Sequence, residues 1–268
     1  MTEMVDTKLP APGFRVRLAD NLARRIALGP RRKLNRPLVS FTFDDVPVSA
    51  AIEGTALLEE FGARGTYYVA GSFIGISTEH YQVVSGDDIV RLHANGHEIG
   101  CHSFSHGRTD YVGANALVSD VLRNRAALKA IEPSLPLRNF AYPYGFASLG
   151  WKSKLRCLFD SCRTVYPRVH TGEIDPQYLL ALPLIQAETD GDAIERALDQ
   201  AQQNNGWTIF YTHDVAAKPS PYGCTPSLLK HALAAVTRKG IAIATIQQGV
   251  EQFAPSAASA MTLAPGAA

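Results

Sequence analysis

The sequence predicts an α/β fold in which seven or eight parallel strands close into a barrel. Short runs rich in β-branched and aromatic residues alternate with helical patterns along most of the chain, and this alternation implies parallel strands joined by helical crossovers. No Gly-rich phosphate fingerprint follows the first strand, and so many repeats favour a barrel over an open dinucleotide-binding sheet. Polar, chemically competent clusters follow four of the strands at their C-terminal ends, which in a parallel barrel converge on one face.

Taken in order, residues 38–43 (LVSFTF) read as the first strand. A helix over 49–61 follows, with Ile52, Leu57, Leu58 and Phe61 on its apolar side and Gly62 as its stop. Strand 66–70, helix 86–95 closed by Gly96, and strand 97–101 come next; helix 114–131 is stopped by Pro133. Strand 138–142, helix 149–159 and strand 163–166 lead into an irregular stretch to 185. Helix 193–204, strand 207–211, helix 227–239 and strand 241–245 complete the pattern. The expected organisation is a basic arm over 1–37, one catalytic domain over 38–253 and a flexible tail over 254–268, which is Ala, Ser and Pro with little to bury.

At 268 residues with 46% hydrophobic residues, the chain is long enough for one large domain with a full core. A formal charge of +1 argues against a dedicated nucleic-acid binder, whose surface must neutralise phosphates. That near-neutrality hides an asymmetry. Residues 1–37 hold nine Lys or Arg against three acids, a net +6, so the remainder carries −5. Leu18, Leu22 and Ile26 recur every four residues among Asn21, Arg24 and Arg25, the pattern of a short basic amphipathic helix. Such a helix either docks on its own domain or offers a peripheral contact to an anionic membrane or an anionic sugar carrier.

No apolar run is long enough to span a bilayer, and the first forty residues, broken by charges and by Pro10, Pro12 and Pro30, do not resemble a secretory leader, so a cytoplasmic location is expected. Cys101, Cys157, Cys162 and Cys224 lack the spacing of zinc or redox motifs and read as free thiols.

Asp44 and Asp45 end the first strand. Adjacent carboxylates there diverge, so one can ligate a metal while the other holds a proton acceptor nearby, although Asp-Asp before Val-Pro also suits an ordinary turn. His102 and His106 follow strand 97–101 as His-Ser-Phe-Ser-His. Two imidazoles four residues apart on one turn lie about 5–6 Å apart and can share one ion. His93 and His97 have the same spacing but straddle Gly96, and read as structural or solvent-facing. Tyr142-Pro143-Tyr144-Gly145 makes an irregular turn whose backbone N–H groups can serve an oxyanion. His213, beside Asp214 after strand 207–211, can exchange a proton near neutral pH.

These residues resemble the polysaccharide deacetylases of carbohydrate esterase family 4, whose catalytic unit is the NodB homology domain. Thr42-Phe43-Asp44-Asp45 matches the family's Thr-Phe-Asp-Asp-Gly, with Val46 in place of Gly; His102-Ser103-Phe104-Ser105-His106 matches its His-Ser/Thr-x-x-His fully. Ala141-Tyr142-Pro143-Tyr144-Gly145 stands for Arg-x-Pro-Tyr-Gly, and 209–213 for the last apolar strand ending in His. The resemblance spans about residues 38–253. It implies a deformed (β/α) barrel in which Asp45, His102 and His106 bind one divalent metal, most simply zinc. Asp44 is then the general base, the Tyr144 backbone N–H following Pro143 faces the oxyanion, and His213 protonates the departing amine.

The implied activity is removal of N-acetyl groups from an amino-sugar oligosaccharide or polysaccharide precursor. Ala141 departs from the family's base-orienting arginine, for which Arg163 is the candidate substitute; Asp160 is the candidate partner of the catalytic histidine. The altered third motif keeps open hydrolysis of another C–N bond, in a cyclic ureide, imide or amide. Two His and one carboxylate also suit a mononuclear iron oxygenase, but Asp44 beside the ligand Asp and the α/β repeat argue against that class. A silent carbohydrate-binding protein would not need ligands, base and acid together.

Overall fold

The computed structural model describes residues 11–253; the first ten residues of the arm and the expected flexible tail 254–268 lie outside the described residues. Strand β1 (Leu38–Asp44) is buried on both faces, as befits a strand flanked by neighbours and covered by helices. With β2 (Thr66–Val69), β3 (Glu98–Cys101), β4 (Asn139–Ala141), β5 (Ser161–Arg163), β6 (Leu182–Pro183) and β7 (Trp207–Thr212) it forms a sheet ordered β5-β4-β3-β2-β1-β7-β6, with every pairing parallel. Strand β8 (Ala242–Ile243) pairs Leu38 and Val39 on the β1 edge that β2 takes further along, at Thr42–Asp44. The sheet curls into a deformed (β/α) barrel. Between β5 and β7 it is closed only by an irregular segment: Leu179 bonds to Cys162 and Thr164, and Leu182 and Pro183 then pair with β7.

Period-2 alternation sorts the strand residues. Val39, Phe41 and Phe43 point outward into the main core, where Leu58 of α2 (Thr55–Glu60), Ile89 and Leu92 of α3 (Gly86–Ala94), Leu128 of α4 (Ala114–Ile131), Ile194 and Leu198 of α6 (Gly191–Asn204) and Leu229, Leu233 and Val236 of α7 (Pro226–Arg238) cover the sheet. Leu38, Tyr68, Ala141, Trp207 and Ile209 form a separate cluster on the other face of the strands, inside the barrel. The interior also carries hydroxyls: Ser40 donates to the Ala244 carbonyl at 2.7 Å and Thr42 to that of Phe210 at 2.9 Å.

Helix α1 (Phe14–Arg25) packs against α5 (Leu149–Leu155). Fully buried Lys152 of α5 donates to the carbonyls of Ala23 (2.7 Å) and Ile26 (2.6 Å), orphaned at the helix C-terminus, and to Asp175 (2.5 Å). Asp20 accepts from the Ala147 backbone at 3.0 Å and from the Tyr178 hydroxyl at 2.8 Å.

Several boundaries differ from the expectation. The helix expected over 49–61 opens with a π-helical stretch, Ala50–Gly54, before α2. Strand β5 lies two residues earlier than expected, because its interior positions are Ser161 and Arg163, so no apolar run marks it. The stretch read as irregular contains β6, and α8 (Ile246–Glu251), too short for a period to register, starts at the Thr245–Gln248 capping box. Among the described residues no helix is long and apolar enough to cross a membrane.

Candidate active site

The C-terminal ends of the strands surround a cleft of about 700 Å³. Asp44 ends β1, and Asp45 and Val46 after it both take left-handed backbone (φ 57° and 52°). The family's glycine position is thus a strained valine here, held because Val46 is fully buried and its carbonyl accepts from Val84 at 3.1 Å. Ser103, His106 and Tyr144 are also left-handed, so among the described residues five of the seven non-glycine positions with positive φ lie at this site. Such strain persists only where the surroundings over-determine it.

Asp45, His102 and His106 present ligand atoms within 4.8 Å of one another. Nε2 of His102 lies 3.9 Å and Nε2 of His106 3.5 Å from Asp45 Oδ1, a buried oxygen with no hydrogen-bond partner among the described residues. His102 Nδ1 lies 2.8 Å from the Ala141 carbonyl, which accepts a hydrogen bond from the Nδ1–H and so turns the Nε2 lone pair toward Asp45. Burial, reinforced by the neighbouring His106, pushes His102 down to about 4, so it is neutral at physiological pH, as a ligand must be. His106 is wedged between the rings of Phe73 (5.2 Å) and Tyr144 (4.8 Å). An orphaned carboxylate oxygen facing two imidazoles fits a divalent ion, and three protein donors leave a position open for substrate or water. Cys101 stays outside this cluster, its thiol pushed up to about 11 by burial.

Asp44 is bound by Arg163. The Arg163 Nη2 donates to Asp44 Oδ1, both side chains are buried, and the guanidinium packs over the rings of Tyr68 (5.0 Å) and Tyr211 (5.5 Å). Burial alone would raise the Asp44 carboxyl; Arg163, with His102 and His213 adding to it, outweighs that and holds it below the usual carboxylate range. Arg163 is the register partner of Ala141 on the adjacent strand, so the substitute arginine comes from β5 and projects from the same face.

His213 follows β7, its Nε2 4.0 Å from Asp45 Oδ2 and its ring 5.5 Å from that of Tyr222. Asp160 is not its partner. It lies at the opposite, N-terminal end of β5, ion-paired with Arg138 at 2.6 Å, because the chain enters β5 there and leaves it at the cleft. Asp214 bonds to the Ser220 backbone (2.8 Å) and hydroxyl (2.5 Å), which ties down its own loop. His213 Nδ1 is buried without a hydrogen-bond partner among the described residues. Pro143 is buried at the start of the turn that carries Tyr144 (φ 59°), and Gly145 must be glycine: its φ is 76°, and a Cβ would sit 2.0 Å from Val165.

Sequence reading missed much of the cleft wall. Phe73, Tyr81, Tyr111, Tyr211 and Tyr222 line it, as do Ala11 and Pro12 of the arm. The Tyr81 hydroxyl is 3.5 Å from Asp45 Oδ2. Apart from Tyr211, which points inward from β7, these residues lie outside the strands on segments far apart in the chain, where no period or spacing marks them.

The family model described as polysaccharide deacetylase matches residues 31–156. A chitin deacetylase of Pestalotiopsis sp is 25% identical over 209 residues, 77% of this chain; the chain spans only about three fifths (61%) of that relative's length. Among solved structures, the chitin deacetylase of Colletotrichum lindemuthianum superposes with a TM-score of 0.61 at 19% identity, covering 87% of this chain and 95% of that one. A family 4 acetyl xylan esterase from Clostridium thermocellum, in complex with a cobalt ion, gives 0.56 at 20% identity, covering 79% and 89%. The matched stretch contains Asp44, Asp45, His102, His106 and the Pro143–Gly145 turn, and the solved structures share the deformed barrel: over residues 31–156 the chain is similar to the polysaccharide deacetylases, and over most of its length it has their fold.

Proposed function

We propose that this protein is a metal-dependent hydrolase that removes N-acetyl groups from an amino-sugar oligosaccharide or polysaccharide precursor. The observation that carries the reading is the buried, unpartnered Asp45 Oδ1 facing His102 and His106, next to an Asp44 pinned by Arg163. Asp45, His102 and His106 would hold the ion, most simply zinc. When bound, it supplies a Lewis acid for the acetyl carbonyl and lowers the pKa of water in its open position.

Asp44 accepts the proton of the attacking water. Its Oδ1 is taken by Arg163, which leaves Oδ2 for that proton, and its lowered pKa keeps it ionised at neutral pH. Arg163 therefore fixes orientation at some cost in basicity. The Tyr144 N–H, on the turn set by Pro143 and Gly145, adds a donor at the oxyanion. His213 delivers a proton to the departing amine, giving acetate and a free amino sugar.

Ring amides were left open by the missing arginine at Ala141; with Arg163 delivering a guanidinium to the same base, that reason lapses. The test is acetate release from N-acetylglucosamine oligomers by protein loaded with stoichiometric zinc, measured beside ring opening of cyclic imides and oxygen uptake by the iron-loaded protein. Acetate release that requires the metal supports the reading. Ring opening alone, or oxygen consumption, defeats it.

A further inference from the structure

Helix α1 is anchored along one side and bare along the other. Val16 and Ala23 are buried, Asp20 is bonded inward, and Lys152 holds the C-terminal carbonyls. On the far side Phe14, Leu18, Leu22 and, just past the helix end, Ile26 are 79%, 47%, 42% and 43% exposed. Residues four apart advance only about 40° around a helix, so the four make one continuous stripe. Among the described residues, no apolar cluster takes in any of them.

The surroundings of the stripe are cationic. Arg15, Arg17 and Arg25 are exposed on the helix, and Arg31, Lys33 and Arg36 are exposed just after it. Residues 11–37 hold eight Lys or Arg and a single acid, Asp20, which is turned inward. An apolar protein partner would account for the stripe but not for its cationic border. A bilayer bearing anionic headgroups matches both, since apolar side chains enter the headgroup–acyl boundary while arginines meet phosphates. The head of the helix also reaches the cleft, because Ala11 and Pro12 line it.

We propose that α1 seats this protein on the anionic surface of a lipid bilayer, with the Phe14–Leu18–Leu22–Ile26 stripe inserted and the cleft opening beside the contact. The proposal does not depend on the deacetylase reading, because its readout is lipid binding.

The test uses the full chain in cosedimentation with phosphatidylcholine vesicles and with vesicles containing about one-third phosphatidylglycerol. Binding at least about tenfold stronger to the anionic vesicles, weakened by about 0.5 M salt, is expected. Leu18→Ser with Leu22→Ser, and separately Arg15→Glu with Arg25→Glu, should each remove about nine-tenths of it. All four positions are exposed, so circular dichroism and the thermal midpoint should match wild type. Equal binding to neutral and anionic vesicles, no binding at all, or unchanged binding by both variants overturns the proposal. So does a homodimer, seen by sedimentation velocity without vesicle binding, that Leu18→Ser with Leu22→Ser dissociates, since the stripe would then belong to a second copy of the chain.

Discussion

Arg163 on β5 donates to Asp44 at the end of β1 across the barrel interior, so two buried charges from strands four places apart in the sheet order satisfy one another. The arginine has room because the interior neighbours are small. Its register partner is Ala141, and Gly100 lets the Tyr68 ring lie so close that a Cβ there would come within 2.4 Å of it. An arginine at the Ala141 position, as the family resemblance implies, would approach the same carboxylate from the adjacent strand.

Removing that guanidinium should be costly in two ways. Arg163→Met leaves Asp44 charged and unpaired in a buried site, for a loss of about 3–5 kcal/mol of stability, and turnover should fall at least about tenfold as the base loses its orientation. Ala141→Arg combined with Arg163→Ala should recover part of the turnover lost in Arg163→Ala alone. Near wild-type kcat in Arg163→Ala would show that the base needs no arginine.

The same pair has a defined pH dependence. Asp44 is held below its ordinary value of 3.8, so its stabilisation is fully present above that value and is lost as pH falls through the lower folded value. The gap in unfolding free energy between wild type and Arg163→Met should be widest near neutrality and narrow on acidification. Denaturant titrations from pH 7 to about pH 3 would test this, and a gap that widens in acid would contradict it.

Two buried histidines work in the same direction over a higher range. Burial pushes His102 to about 4 and His170 to about 3, from an ordinary 6.5, and His170 Nε2 accepts from the Leu180 backbone at 2.8 Å. Both stay neutral in the fold but take a proton when unfolded, so their stabilisation is complete above about 6.5 and lost progressively below it, by up to about 1.4 kcal/mol per pH unit each. In the metal-free protein, His170→Gln should remove about half of this slope between pH 6 and 4.5. An unchanged slope would mean that His170 is not titrating.

Metal and base should separate cleanly. His102→Ala or His106→Ala should abolish stoichiometric zinc, measured by elemental analysis after dialysis. Asp44→Asn should keep the metal and lose at least about 100-fold in turnover. Zinc retained by either histidine variant would undo the ligand assignment, whereas an active Asp44→Asn would leave the metal site standing and remove only the base.

Lys152 should control the arm. Lys152→Met leaves Asp175 buried without its cation and frees two helix carbonyls, so stability should drop by about 3–5 kcal/mol. Trypsin should then cut between Arg15 and Arg36 well before the barrel. Equal cleavage rates in wild type and variant would mean that the clasp does not hold α1.

Legibility in the sequence followed periodicity. Helix α4 is read to the residue because Gly113 and Pro133 bound it, and β1 and β7 to within one residue because aromatic and β-branched residues fill most of their positions. Strand β5 was displaced because Ser161 and Arg163 face the barrel interior, where a polar residue is stable only if a distant partner satisfies it. Asp160 looked like a partner for His213 only along the chain; the strand direction sends it to the other end of the barrel.

By itself, the sequence determined the parallel α/β class and the cluster of Asp44, Asp45, His102, His106 and His213, because strand ends and a four-residue spacing are local properties of a chain. Tertiary structure alone decided that Arg163 pairs with Asp44, that Asp160 does not serve His213, and that α1 buries Val16 and Ala23 while leaving Phe14, Leu18, Leu22 and Ile26 outside. The first depends on which faces meet across more than a hundred residues of sequence, the second on the direction of a strand and the third on which side of a helix finds a neighbour, and none is set by the residues at the position itself.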